Sequence, residues 1–146
     1  MPDPTQHHPH RLLRSPDGER VPIDVDLVPL IQALWRHGIQ TASCCQDLGE
    51  SIRPRSHLRR RIDYLSGFSV IDLPIPDGLA VLSRAADAGP RDDFYERMTY
   101  WAAPESWTTS VPVLDLSGRG PSAFALVGMQ LVFPRSDIAE FTRRVS

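Results

Sequence analysis

The chain has 146 residues, 41% of them hydrophobic, and a formal net charge of −2. That length fits one domain with an ordinary core, and the near-neutral charge gives no overall pull toward nucleic acid or an anionic membrane. Lysine and asparagine are absent, all sixteen basic residues being arginine, so a Schiff-base lysine and a phosphate-loop lysine are both excluded.

Residues 1–10, MPDPTQHHPH, are polar and rich in proline and histidine. They lack the charged-then-apolar plan of a secretion signal and read as a flexible tail ahead of a single domain over 11–146. Ser15-Pro16-Asp17-Gly18 has turn chemistry between two short runs, which predicts a hairpin. Over 26–39, Leu27, Leu30, Ile31, Leu34 and Trp35 form one apolar stripe at helical spacing. Asp26 is placed to cap that helix, Pro29 is tolerated in its first turn, and Gly38 suits a left-handed stop. Trp35 is expected in the core. "IQTASCC" reads as the next strand.

Residues 47–66 read as a long loop holding Arg53, Arg55, Arg59, Arg60 and Arg61. "FSVIDLP" is a strand. "DGLAVLSRAADAGP" is a helix capped by Asp77, with Leu79, Leu82 and Ala86 on one face and a Gly89-Pro90 stop. "DDFYERMTYW" is a weaker helix that aligns Phe94, Met98 and Trp101, its Asp92-Asp93 pair suiting the positive end of the dipole. "SWTTSVPVLDL" and "FALVGMQLVF" are strands around an exposed loop at 118–122. In the second strand Val127, Met129, Leu131 and Phe133 point inward. "SDIAEFTRRV" closes the chain as a helix capped by Ser136 that buries Ile138, Phe141 and Val145. Strands and helices mix along the chain, which predicts an α+β fold: a mixed, largely antiparallel sheet with helices packed on one face. No apolar run nears the ~20 residues needed to span a bilayer, so a cytoplasmic setting without membrane contact is expected.

The chemistry concentrates at Thr41–Glu50, TASCCQDLGE, which holds both cysteines of the chain. Adjacent α-carbons lie about 3.8 Å apart, below the roughly 4.4–6.8 Å of unstrained disulfides, so both thiols are expected reduced. A structural zinc site usually wants a spaced cysteine pair, which is missing; the other candidate ligands are His37, His57 and the tail histidines His7, His8 and His10, which could hold a metal loosely, and no native metal site is expected. On an extended segment Cys44 and Cys45 point to opposite faces. One then packs as a small hydrophobe, while the other faces the loop with Gln46, Asp47, Glu50 and His57.

Three readings of the pair stay open: core packing, a thiol nucleophile at Cys45 activated by histidine or arginine, and a ligand-facing edge. Gln46 offers amide donors and an acceptor. With Asp47, Arg59, Arg60 and Arg61 it forms the candidate ligand-binding set, and arginine forks there suit a phosphate-bearing ligand or RNA. The alternative for that loop is a solvated surface. Trp101 and Trp107 are candidates for base stacking or for the core. His37, at a helix end, needs no catalytic reading. No cofactor is indicated.

The stretch VDLVPLIQALWRHGIQTASCCQDLGE resembles a group of small uncharacterised proteins of GC-rich actinobacteria and their phages. Asp26, Leu34-Trp35, Gly38-Ile39, Thr41 and Cys45-Gln46 carry the likeness. The closing VGMQLVFPRSDIAEFTRRV is similar to the last strand and helix of that group. Thr41–Gln46 is also similar to a turn of the tRNA wybutosine-synthesis methyltransferases, though the small Ser-Gly pair after the cysteine is missing. The first resemblance implies a bacterial or phage protein of no assigned activity; the second implies a nucleotide- or RNA-modifying enzyme. The expectation is a small binding or regulatory domain with a ligand-facing loop after Cys45, the alternative being an enzyme, thiol-dependent or RNA-modifying.

Overall fold

A computed structural model describes residues 8–47, 66–110 and 128–146. Strands β1 (His10–Arg14) and β2 (Arg20–Asp24) pair antiparallel as the expected hairpin, Leu13 opposite Val21. Gly18 supplies the positive φ of 88° in its turn. Ser15 closes the turn, its N–H donating to Glu19 O and its hydroxyl accepting from Glu19 N. The flexible-tail expectation needs correcting at residues 8–10. His10 opens β1, Pro9 O accepts from Val25 N, and His8 is 8% exposed. Residues 1–7 lie outside the described residues.

Helix α1 (Val28–Arg36) follows a short 3-10 turn at Val25–Leu27. Its stripe is fully buried at Leu27, Leu30, Ile31 and Leu34. It ends as expected at Gly38 (φ 72°), where Ile39 N donates to Leu34 O and Gly38 N to Trp35 O. This doubled bond satisfies carbonyls the helix would otherwise leave unpaired. Two expectations fail here. Asp26 makes no cap, its carboxylate accepting instead from Arg135. Trp35 is half-buried at the edge of the core, its indole N–H donating to Thr41 Oγ1 at 3.1 Å. A buried indole needs a polar partner, and the one Trp35 finds lies at the rim.

Strand β3 is short, Ser43–Cys45. Residues 39–41, expected extended, are held against the end of α1 by the Ile39 bond. Strand β4 (Phe68–Leu73), helix α2 (Ile75–Asp87), helix α3 (Asp93–Thr99), strand β5 (Thr108–Ser110), strand β6 (Met129–Pro134) and helix α4 (Ile138–Val145) complete the fold. The sheet order is β3-β4-β6-β5, and all its pairs are antiparallel. Ile71, Leu73, Met129, Leu131 and Phe133 face α1, α2 and α4 and join one core cluster with them. The chain is thus α+β, with helices on one face of an antiparallel sheet. No helix among the described residues is long and apolar enough to cross a membrane.

Helix α2 lies one residue away from its expected rotation. Gly78, Val81 and Ala85 are buried, while Leu79 is 56% exposed. The small residues let the helix sit close to its neighbours: a Cβ on Gly78 would lie 2.5 Å from Met129 Sδ, and Ala85 O accepts from Arg144. Helix α2 also begins two residues before the expected cap. Asp77 Oδ2 accepts from Gln40 N instead. Helix α3 starts at Asp92-Asp93 as expected, and Asp92 also caps it, its Oδ1 accepting from Tyr95 N at 3.2 Å. The helix stops at Thr99, however, and Trp101 is 85% exposed rather than aligned with Phe94. Ser136 falls inside a 3-10 turn (Arg135–Asp137), so the residue flanking α4 is Asp137. Trp107 is core, packed on Phe94, Phe133 and Phe141 with ring centroids 5.5, 4.9 and 4.8 Å away. Residue 127 and the 118–122 loop lie outside the described residues.

Candidate functional site

The two cysteines occupy opposite faces of β3, as period two requires. Cys44 pairs with Ile71 and packs against the core on the helix side. It lies on the wall of a cleft of about 490 Å³ between the hairpin turn and α1, alongside Asp17, Glu19, Val21, Trp35 and Thr41. Burial, then the Asp24 charge, pushes its thiol up to about 12. Such a thiol is neutral at pH 7 and a poor nucleophile.

Cys45 pairs with Val70 on the other face, in polar company. Its Sγ lies 3.6 Å from His8 Nε2, and its S–H donates to Asp47 O at 3.3 Å. His8 Nε2 is also 3.2 Å from that carbonyl oxygen. The Asp24 carboxylate completes a group in which one donor atom each from His8, Asp24 and Cys45 all lie within 4.8 Å of one another. Neither cysteine is in a disulfide.

The residues after Cys45 hold this group in place. Gln46 is 5% exposed. Its N–H donates to Asp24 Oδ2 at 2.8 Å, its side-chain Oε1 accepts from Asp26 N at 3.1 Å, and its carbonyl accepts from Ser69 Oγ at 2.7 Å. One residue thereby ties the hairpin's exit to the sheet. Asp47, equally buried, turns its carboxylate to Gly67 N at 3.1 Å and to Arg135 Nη1 at 3.6 Å. Arg135 also reaches the Asp26 carboxylate, and its N–H donates to Gly67 O. Arg135 thereby bridges the two carboxylates.

Of the expected site residues, the structure brings Cys45, Gln46 and Asp47 together. Gln46 uses its side-chain oxygen inside the fold. Arg59, Arg60, Arg61 and His57 lie outside the described residues. Asp24, Ser69 and Arg135 are not singled out by the sequence reading, and His8 stands there only as one of three tail histidines able to hold a metal loosely. His8 is 37 positions from Cys45, and only the hairpin carries it there. The buried serine in β4 was the one local signal, since an apolar strand that spends an inward position on a hydroxyl needs a partner for it. No known protein family, curated protein or solved structure matches the chain.

Proposed function

We propose that this chain is a small binding or regulatory domain whose ligand seats at the carboxyl end of β3, around Cys45. The supporting observation is the convergence of Cys45 Sγ with His8 and Asp24 from the hairpin, all within 4.8 Å. A thiol that served only as packing would lie against the hydrophobic core, as Cys44 does on the helix side.

The test combines thermal shift with cysteine labelling. S-adenosylmethionine, nucleotides and short RNA are screened against the reduced protein, with Cys45 alkylation followed by mass spectrometry. A ligand of the folded state raises the melting point by linkage, and one that seats at this edge also slows Cys45 labelling. Stabilisation that leaves Cys45 labelling unchanged places the site elsewhere.

A second reading, a thiol-dependent enzyme, is favoured by one observation: Cys45 Sγ lies 3.6 Å from a histidine nitrogen. It requires an apparent labelling pKa for Cys45 well below the ~8.5 of an ordinary cysteine, and an ordinary value removes it.

A further inference from the structure

We propose that His8, Asp24 and Cys45 form a binding site for a divalent transition-metal ion of the zinc class. This rests on the reading of the Cys45 end as the binding edge and names its ligand.

The donor set argues for the ion. Thiolate and imidazole select zinc and its borderline neighbours, whereas magnesium and calcium want oxygen alone. Spacing argues for it as well. Bond lengths of about 2.3 Å to sulfur and about 2.0–2.1 Å to nitrogen put the two ligands of a tetrahedral ion roughly 3.5–3.6 Å apart. Cys45 Sγ and His8 Nε2 stand 3.6 Å apart. The Asp47 carbonyl oxygen lies 3.2 Å from that nitrogen and 3.3 Å from the sulfur. Those three atoms form a triangle of about the size of one face of such a tetrahedron. The Asp24 carboxylate, within 4.8 Å of both side-chain donors, supplies the anionic ligand. Its Oδ2 already accepts from Gln46 N, the kind of outer hydrogen bond that orients metal-binding carboxylates.

The elements are placed for this work. Asp24 ends β2, Cys45 ends β3, and His8 precedes β1, so an ion would join the hairpin to the main sheet. On binding, the Cys45 S–H bond breaks, a sulfur–metal bond forms and the proton leaves to solvent. His8 ligates through Nε2 with its proton on Nδ1. No electron is transferred.

The reduced full chain, stripped with chelator, is titrated with zinc and with cobalt. One ion per chain is expected, with a thiolate-to-cobalt charge-transfer band in the near ultraviolet and with zinc blocking Cys45 alkylation. Cys45→Ser and His8→Gln should each weaken zinc binding by more than the roughly 10–100-fold typical of losing an outer-shell partner. Cys44→Ser should bind as wild type, and so should a His7→Gln, His10→Gln double variant, which removes the other tail histidines. The wild-type cobalt spectrum stands independently of whether any variant folds. Cobalt bound without a thiolate band, or zinc binding lost with His7 and His10 rather than with His8, overturns the proposal. Failure to bind either metal, while an organic ligand still protects Cys45, overturns the metal site and leaves the binding edge. If nothing tested protects Cys45, both fall.

Discussion

Two acidic residues show how a single side chain can organise its surroundings. Asp137, 3% exposed, accepts from Arg97 Nε at 3.1 Å, Arg97 Nη2 at 2.6 Å and Trp107 Nε1 at 3.0 Å. It fixes α3, the aromatic cluster and the start of α4 at one point. Arg97 is 27% exposed and can turn to water, so truncating Asp137 strands chiefly the buried Trp107 N–H. Asp137→Ala should therefore cost about 1–3 kcal/mol in urea unfolding, with a changed Trp107 emission; a loss under about 0.5 kcal/mol would show that the indole N–H finds another partner. Glu140 is the second case. Hydrogen bonds from Arg143, then from Arg144, hold its carboxyl at about 2 against an ordinary 4.5. Its folded value is depressed, so the stability it adds is present above 4.5 and is lost as pH falls through about 2. Unfolding free energies measured across that window should fall more steeply for the wild type than for Glu140→Gln. Parallel curves would show that Glu140 contributes nothing to acid sensitivity.

At the scale of elements, two helices differ in how they announce their buried faces. Helix α1 buries large side chains, and its stripe is legible because Leu and Ile at helical spacing stand out. Helix α2 buries Gly78, Val81 and Ala85, and small residues carry little hydrophobic signal, so the eye goes to Leu79 instead. What places α2 is close approach to Met129 and Arg144, a tertiary fact. Leu34→Ala should cost about 2–5 kcal/mol, whereas Leu79→Ala should stay within about 0.5 kcal/mol. Comparable losses at the two positions would mean that the observed rotation of α2 is wrong. The turns were equally legible where backbone geometry leaves few choices, at Gly18 and Gly38. Caps were less so: Asp26 and Asp77 stand where caps belong, but each carboxylate has a long-range partner, Arg135 or Gln40. The site was half legible. Cys45, Gln46 and Asp47 are contiguous and chemically conspicuous, while His8 and Asp24 join them only through the folding of the hairpin.

For the molecule as a whole, the question is what couples the hairpin to the sheet β3-β4-β6-β5, since among the described residues the two share no strand ladder. Leu13 and Ile23 enter the common core, but burial alone does not fix a docking register. Gln46 does: it bonds Asp24 and Asp26 on one side and Ser69 on the other. The same bonds set the distance between Asp24 and Cys45, so the fold and the candidate metal site depend on one residue. Gln46→Ala removes the side-chain acceptor for Asp26 N, a part-buried bond, and such a hydrogen bond contributes about 0.5–1.5 kcal/mol. The expected result is a loss of that size in urea unfolding, with faster amide exchange across β1 and β2 than across β4 and β6. Zinc affinity should fall with it, because the hairpin delivers two of the three side-chain ligands. Should stability and hairpin exchange stay at wild-type values while ligand affinity drops, Gln46 would be a contact residue, as its amide chemistry first implied, and the hairpin would owe its position to the core alone.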